Sequence, residues 1–169
     1  MIKKLLAAAV LSLGFGVAVA AQDQGASFVK ATHGAWEVRC SNADNSKCVM
    51  TQTGNNAEGQ PVLQALLRRT PGMQGPNGEP VAAVFELLAP IGVLLPAGIA
   101  VSIDGAEIGR VPYRVCNPQS CLVAEPVLED FIGKMKKGSN AVMTMVGVNG
   151  QAASVTISLS GFTKAYNGL

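Results

Sequence analysis

Four cysteines in two close pairs, Cys40 with Cys48 and Cys116 with Cys121, set the tightest limit on how this chain can fold. All of them follow an N-terminal segment with the parts that export machinery reads: Lys3 and Lys4, an apolar run from Leu5 to Val19, and small residues at Ala18-Val19-Ala20-Ala21. Cleavage near Ala20 or Ala21 would deliver the remainder, from about Gln22 onward, to an oxidising compartment where cysteines become disulfides. Several connectivities are open, and local pairing is the simplest. The Cys40 to Cys48 loop, Ser41-Asn42-Ala43-Asp44-Asn45-Ser46-Lys47, and the Cys116 to Cys121 loop, Asn117-Pro118-Gln119-Ser120, are rich in turn formers. Crosslinks this short stabilise by about 2 to 2.5 kcal/mol each on the loop-entropy model, so they read as clips on hairpins. The spacing argues against the other uses of cysteine. Neither pair is the C-x-x-C of a redox site, and Cys40 and Cys48 lie too far apart for a structural zinc knuckle.

The remainder of about 150 residues suits a single domain spanning 22–169, because a chain of that size buries about 70% of its unfolded surface. Of 13 Lys and Arg residues against 11 Asp and Glu, Lys3 and Lys4 leave with the leader, so the rest is charge-balanced. Such a chain lacks the basic footprint that a nucleic-acid partner requires. The apolar stretch from Val81 to Ile103 is long enough to span a bilayer, but Pro90, Gly92, Pro96 and Gly98 break any helix there. It reads as two buried strands joined by an apolar loop, with no transmembrane segment in the mature chain.

Short β-type runs recur with turn residues between them: Ala35–Cys40, Cys48–Thr53, Val62–Arg68, Val81–Leu88, Ile99–Ile103, Val111–Cys116, Cys121–Ala124, Ala141–Val148 and Ala153–Leu159. Alternation sets their faces. Trp36, Val38 and Cys40 share one face, as do Ile99, Val101 and Ile103, and Val155, Ile157 and Leu159. Asp104-Gly105 supplies a hairpin turn. Between Pro126 and Lys137 the apolar residues Val127, Leu128, Phe131, Ile132 and Met135 recur at helical spacing, with Pro126 as first residue and Gly138 as cap. Glu129 and Asp130 near its start and Lys134, Lys136 and Lys137 near its end match the helix dipole, which is the favoured account of the lysine cluster; a membrane-surface or anionic-partner role is the alternative. The expected fold is mainly β, an antiparallel β-sandwich or barrel-like single domain with one short helix over about residues 126–137.

An ordered set of segments then resembles the invasion-associated locus B family of exported bacterial proteins. It runs Trp36-Glu37-Val38-Arg39-Cys40, Cys48 followed by Gln52, Pro90-Ile91-Gly92-Val93-Leu94-Leu95-Pro96-Ala97-Gly98, and Ile103-Asp104-Gly105. Cys116 and Cys121, Lys136-Lys137-Gly138, and Ile157-Ser158-Leu159-Ser160-Gly161-Phe162-Thr163-Lys164-Ala165 complete it. The resemblance implies a small β-sandwich-like, exported, non-enzymatic protein, linked in some relatives to host-cell invasion, with a protein partner at the envelope or the host-cell surface. It carries over no ligand, cofactor or active site.

Catalysis finds little to work with in the residues. Histidine occurs once, as His33 ahead of a strand, and no G-x-S-x-G surrounds a serine, which disfavours a small periplasmic hydrolase. Glu86, Asp104, Glu107, Glu125, Glu129 and Asp130 are the carboxylates available for glycoside cleavage, but Glu129 and Asp130 diverge on a helix and Asp104 suits a turn. No cofactor or metal motif is present. The apolar loop, with Ile91, Val93, Leu94 and Leu95, is the candidate interaction site; closure of one end of the core is the favoured reading of Leu94 and Leu95, and an exposed anchor the alternative. A structural role in envelope maintenance, through a sheet edge, is the second functional reading.

Export is directly testable. Cell fractionation with N-terminal sequencing should recover a periplasmic or released protein that starts at Ala21 or Gln22, whereas recovery only from the cytoplasm with Met1 intact would refute it.

Overall fold

The computed structural model describes residues 27–41, 44 and 47–169, so the leader and its cleavage site lie outside the described residues. In chain order the elements are β1 (Ser27–His33), β2 (Trp36–Ser41), β3 (Cys48–Asn55), β4 (Pro61–Arg69), β5 (Ala83–Ala89), β6 (Ile99–Ile103) and β7 (Ala106–Val111). They continue with β8 (Val115–Cys116), β9 (Cys121–Val127), α1 (Glu129–Lys137), β10 (Asn140–Val146), β11 (Ala152–Ser158) and α2 (Phe162–Asn167). Among the described residues the strands form one curled antiparallel sheet of 11, ordered β7-β6-β10-β11-β3-β4-β5-β9-β8, with β1 and β2 branching from β3. Curling brings one face of most strands onto a common core, where Trp36, Phe85, Phe162, Met50, Ile99 and Ile157 are fully buried.

The branch is where the backbone ladder would otherwise fail. On one side β3 pairs with β2 from Cys48 to Thr51, and on that side it meets β11 only at Asn55 opposite Thr156. The gap between these pairings falls at Gln52. Its buried side-chain amide donates to Ser158 O at 2.7 Å and accepts from Ser158 N at 2.9 Å, so it acts as a substitute peptide unit across the diverging strands. Trp36 Nε1 donates to the same carbonyl at 2.9 Å, and its ring meets Phe162 edge-on with centroids 5.4 Å apart. Just beyond, Ala35 N donates to Ser160 O, and Gly161 passes so close to the β1–β2 turn that a Cβ there would overlap His33 O. With φ at 85°, Gly161 is doubly required to be glycine.

Both disulfides are cross-strand clips, joining Cys40 to Cys48 and Cys116 to Cys121. In each case the next pair outward carries the ladder hydrogen bond, Ser41 N to Lys47 O and Asn117 N to Ser120 O. The cysteines thus occupy the non-hydrogen-bonded positions, where opposing Cα atoms lie closest; the separations are 4.1 and 4.0 Å.

Several expectations need correction. The helix begins at Glu129, because Pro126 belongs to β9 opposite Val84. Strand β8 covers only the first residues of β9, leaving Pro126 on an open edge where a missing N–H costs nothing. Gly138 does cap the helix, but from φ −78°; it is glycine because a Cβ would lie 2.5 Å from Ile103 Cγ2. The run Val111–Cys116 is two strands broken around Pro112, and β7 starts earlier, at Ala106. His33 ends an ordered strand, β1, and a second helix, α2, packs Phe162, Ala165 and Tyr166 into the core.

Asp104, at φ 48° in the β6–β7 turn, fastens that turn to the start of β10: its carboxylate accepts from Ser139 N and Asn140 N, both at 2.9 Å. The Ser139 amide, and after it the Asn140 amide, hold this carboxyl below its ordinary value. A depressed carboxylate contributes stability above its unfolded pKa and loses it as pH falls through its folded pKa. Urea titrations across acid pH should therefore show Asp104→Asn less stable than the parent at pH 6, with the gap closing below about pH 4; a constant gap would refute the clamp. Gln52→Ala, which strips Ser158 N of its partner, should lower the urea-derived stability by about 2 to 3 kcal/mol, and Gln52→Glu should not restore it, because a carboxylate would face the Ser158 carbonyl.

Candidate functional site

Strands β5 and β6 lie far apart in the sheet, with β4, β3, β11 and β10 between them, so the segment joining them must cross one end of the curl. That segment is the apolar loop of residues 90–98, and its backbone is pinned along its length. Leu94 N donates to Val146 O at 2.7 Å and Val148 N to Gly92 O at 2.9 Å, around a bridge between Val93 and Gly147. A 3-10 turn over Leu95–Ala97 follows, whose Ala97 carbonyl accepts from the Arg110 guanidinium. Gly98, at φ 58°, closes the loop where a Cβ would lie 2.6 Å from Val111 O.

The loop's apolar side chains divide. Val93 is 9% exposed and plugs the core, whereas Ile91, Leu94 and Leu95 stand 57, 43 and 50% exposed. Closure of the core by Leu94 and Leu95 is therefore wrong: the loop's hydrogen bonds turn only Val93 inward. Val148, in the neighbouring β10–β11 turn, is 73% exposed. A groove of about 380 Å³ runs between the two segments, lined among others by Val62, Ile91, Val93, Met145, Val148 and Ala153. A second hollow continues from Pro90 to Gln119 and Ser120 at the tip of the Cys116–Cys121 hairpin. Asn117 Oδ1 holds that tip by accepting from Gln119 N and Ser120 N, both at 2.8 Å. This end of the molecule thus offers aliphatic side chains on a rigid frame, which is the arrangement of a contact surface. The sequence pattern carries the strand through Val148, but β10 ends at Val146 and Val148 belongs to the turn, where its amide donates to Gly92 O and its side chain faces solvent.

Of the carboxylates weighed for catalysis, Asp104 and Glu107 border one hollow beside the β6–β7 turn, and the others are dispersed. Glu86 pairs with Arg68 at 3.0 Å, Glu125 with Arg114 at 2.9 Å and Asp130 with Lys134 at 2.7 Å, while Asp104 is bound to backbone amides. Glu129 lies beside Tyr166, whose hydroxyl is pushed up mainly by burial and further by that carboxylate. His33 sits at the far end of the sheet from the apolar loop, next to Ser160 and Gly161. Among the described residues no group of three His, Cys, Asp or Glu side chains is placed to hold a metal, and no helix is long and apolar enough to cross a membrane.

Fold and surface together define a small disulfide-clipped protein built on one curled antiparallel sheet. Residues 36–169 match the family described as "Invasion associated locus B (IalB) protein", and the chain belongs to that family. It is similar to "Invasion protein B" of Bartonella bacilliformis, with 26% identity over 152 residues that cover 87% of this chain and 77% of the relative. Its fold matches the crystal structure of invasion associated protein b from Bartonella henselae at a TM-score of 0.63 and 21% identity, over 82% of this chain and 93% of the other.

Proposed function

We propose that this protein is exported through its N-terminal leader and acts without chemistry, by binding a protein partner through the apolar end of the sheet. The carrying observation is the exposure of Ile91, Leu94, Leu95 and Val148 on loops whose backbones are hydrogen-bonded in place. Aliphatic side chains on a frame already ordered lose little conformational entropy on association, so their burial converts efficiently into affinity. Two disulfides suit an oxidising compartment. Membership of the invasion-associated family, and similarity to the invasion protein B of Bartonella bacilliformis, support a partner on the host-cell surface. A housekeeping partner within the bacterial envelope is the competing assignment, and the same experiment separates the two.

Purified mature protein should be used to capture partners from host-cell membranes and, separately, from envelope extracts. Leu94→Asp and Leu95→Asp should abolish capture while changing stability by less than about 0.5 kcal/mol, as exposed positions do; Val93→Asp should instead unfold the protein. Undiminished capture by both exposed variants would remove this surface from the proposal, and a hydrolytic activity lost in His33→Ala would overturn the non-catalytic reading.

A further inference from the structure

The opposite end of β11 carries a different surface. Ala152, at one end of this strand, lines the apolar groove. Leu159 and Ser160, just past its other end, line a second groove of about 550 Å³. Seven residues of strand separate the two by about 20 Å. Thr32, His33, Lys136, Ser160, Thr163 and Lys164 give this second groove its chemistry. Among the described residues no carboxylate lines it.

Among the described residues neither lysine that lines the groove forms an ion pair. On α1, Lys134 is taken by Asp130 at 2.7 Å, but Lys136 points away from that pair. Its ammonium lies 4.5 Å from the centroid of the Tyr166 ring, which orients it without cancelling its charge. The Arg69 guanidinium lies 4.4 Å from the same centroid, and the Glu129 carboxylate beside Tyr166 offsets part of the positive charge gathered at that ring. Among the described residues, neither Lys164 nor His33 pairs with a carboxylate. The frame is as fixed as the charges are open. His33 and Gly34 are pressed against Ser160 and Gly161 so closely that a Cβ on either glycine would overlap the opposing backbone.

We propose that this groove binds a tetrahedral oxyanion of the phosphate class, with Lys136 and Lys164 as the charge partners and Thr32, His33, Ser160 and Thr163 as hydrogen-bonding groups. Point-charge ammonium groups with hydroxyls suit a compact tetrahedral anion, whereas the lining has no arginine fork to select a planar carboxylate. The lack of a lining carboxylate disfavours a cation. Because the groove is open to water, binding is weak for a free ion and falls as salt screens it. The anion could arrive as free phosphate or as the headgroup of an anionic lipid, and either presents the same oxygens.

The test is a titration of the mature protein, amide resonances labelled, with inorganic phosphate at low ionic strength. Saturable shifts confined to residues around Gly34, Ser160, Gly161, Thr163 and Lys164 are expected. Lys164→Ala, and Lys136→Met, which keeps the stem on the Tyr166 ring, should each weaken binding by about tenfold, the scale of one charge-assisted hydrogen bond. Lys137→Ala, outside the groove, should leave it unchanged. In parallel, phosphatidylcholine vesicles with and without phosphatidic acid report whether the group is read on a lipid. Capture by phosphatidic acid that is lost in both groove variants supports the lipid source, even if free phosphate binds too weakly to saturate. Shifts spread over all lysines without saturation, together with vesicle capture indifferent to Lys164→Ala and Lys136→Met, would overturn the proposal. Unchanged resonance dispersion in the variants shows that folding is not the cause.

Discussion

The carbonyl and amide of Ser158 are the point on which the architecture turns. A sheet that curls far enough to enclose a core must let neighbouring strands diverge, and where β2 and β11 part company on one side of β3 their backbone groups lose partners. Buried peptide groups left unpaired cost on the order of 1 to 3 kcal/mol each, enough to erode a marginal fold. Gln52 answers for both Ser158 groups, and Trp36 adds a second bond to the carbonyl from a residue 122 positions away in sequence. The curl, the buried tryptophan and the docking of Phe162 beneath it are consequences of one satisfied junction.

That junction gives physical content to the pattern that marks the family. Trp36 in the first matching segment, Gln52 after Cys48, and Ser158, Gly161 and Phe162 in the last are scattered along the chain but meet in one cluster of hydrogen bonds and ring contacts. Of the remaining segments, Ile103-Asp104-Gly105 and Lys136-Lys137-Gly138 lie near this same end, and two others serve the opposite one. The loop of residues 90–98 spans the mouth of the curl, and the Cys116–Cys121 hairpin borders the same surface. One part of the pattern holds the sheet together, and the other shapes what it shows to solvent.

The two ends differ in the forces they offer a ligand. Around Ile91, Leu94, Leu95 and Val148 the available gain is burial of apolar area, which salt does not screen. Around Lys136 and Lys164 it is electrostatic and screened by salt. A composition of 13 Lys and Arg against 11 Asp and Glu hides this polarity, because several of the acids pair with cations elsewhere, as Glu86 does with Arg68 and Glu125 with Arg114.

The sequence by itself determined a mainly β fold, most of its strands with their alternating faces, and the hairpin at Asp104-Gly105. These depend on period and on turn chemistry, which are local. It favoured the local cysteine pairing for the same reason. It did not reveal β1 or α2, since Ser27–His33 alternates weakly and a six-residue helix is too short to display a period. Nor did it place Pro126, whose tolerance depends on whether a neighbouring strand covers that edge. Only the tertiary structure decided that Leu94 and Leu95 face solvent while Val93 faces the core, because all are equally apolar and hydrogen bonds to the β10–β11 turn choose between them. Tertiary contacts likewise brought His33, Lys136 and Lys164 to one groove, and the physical reason is distance along the chain: no local pattern encodes a meeting of residues that far apart.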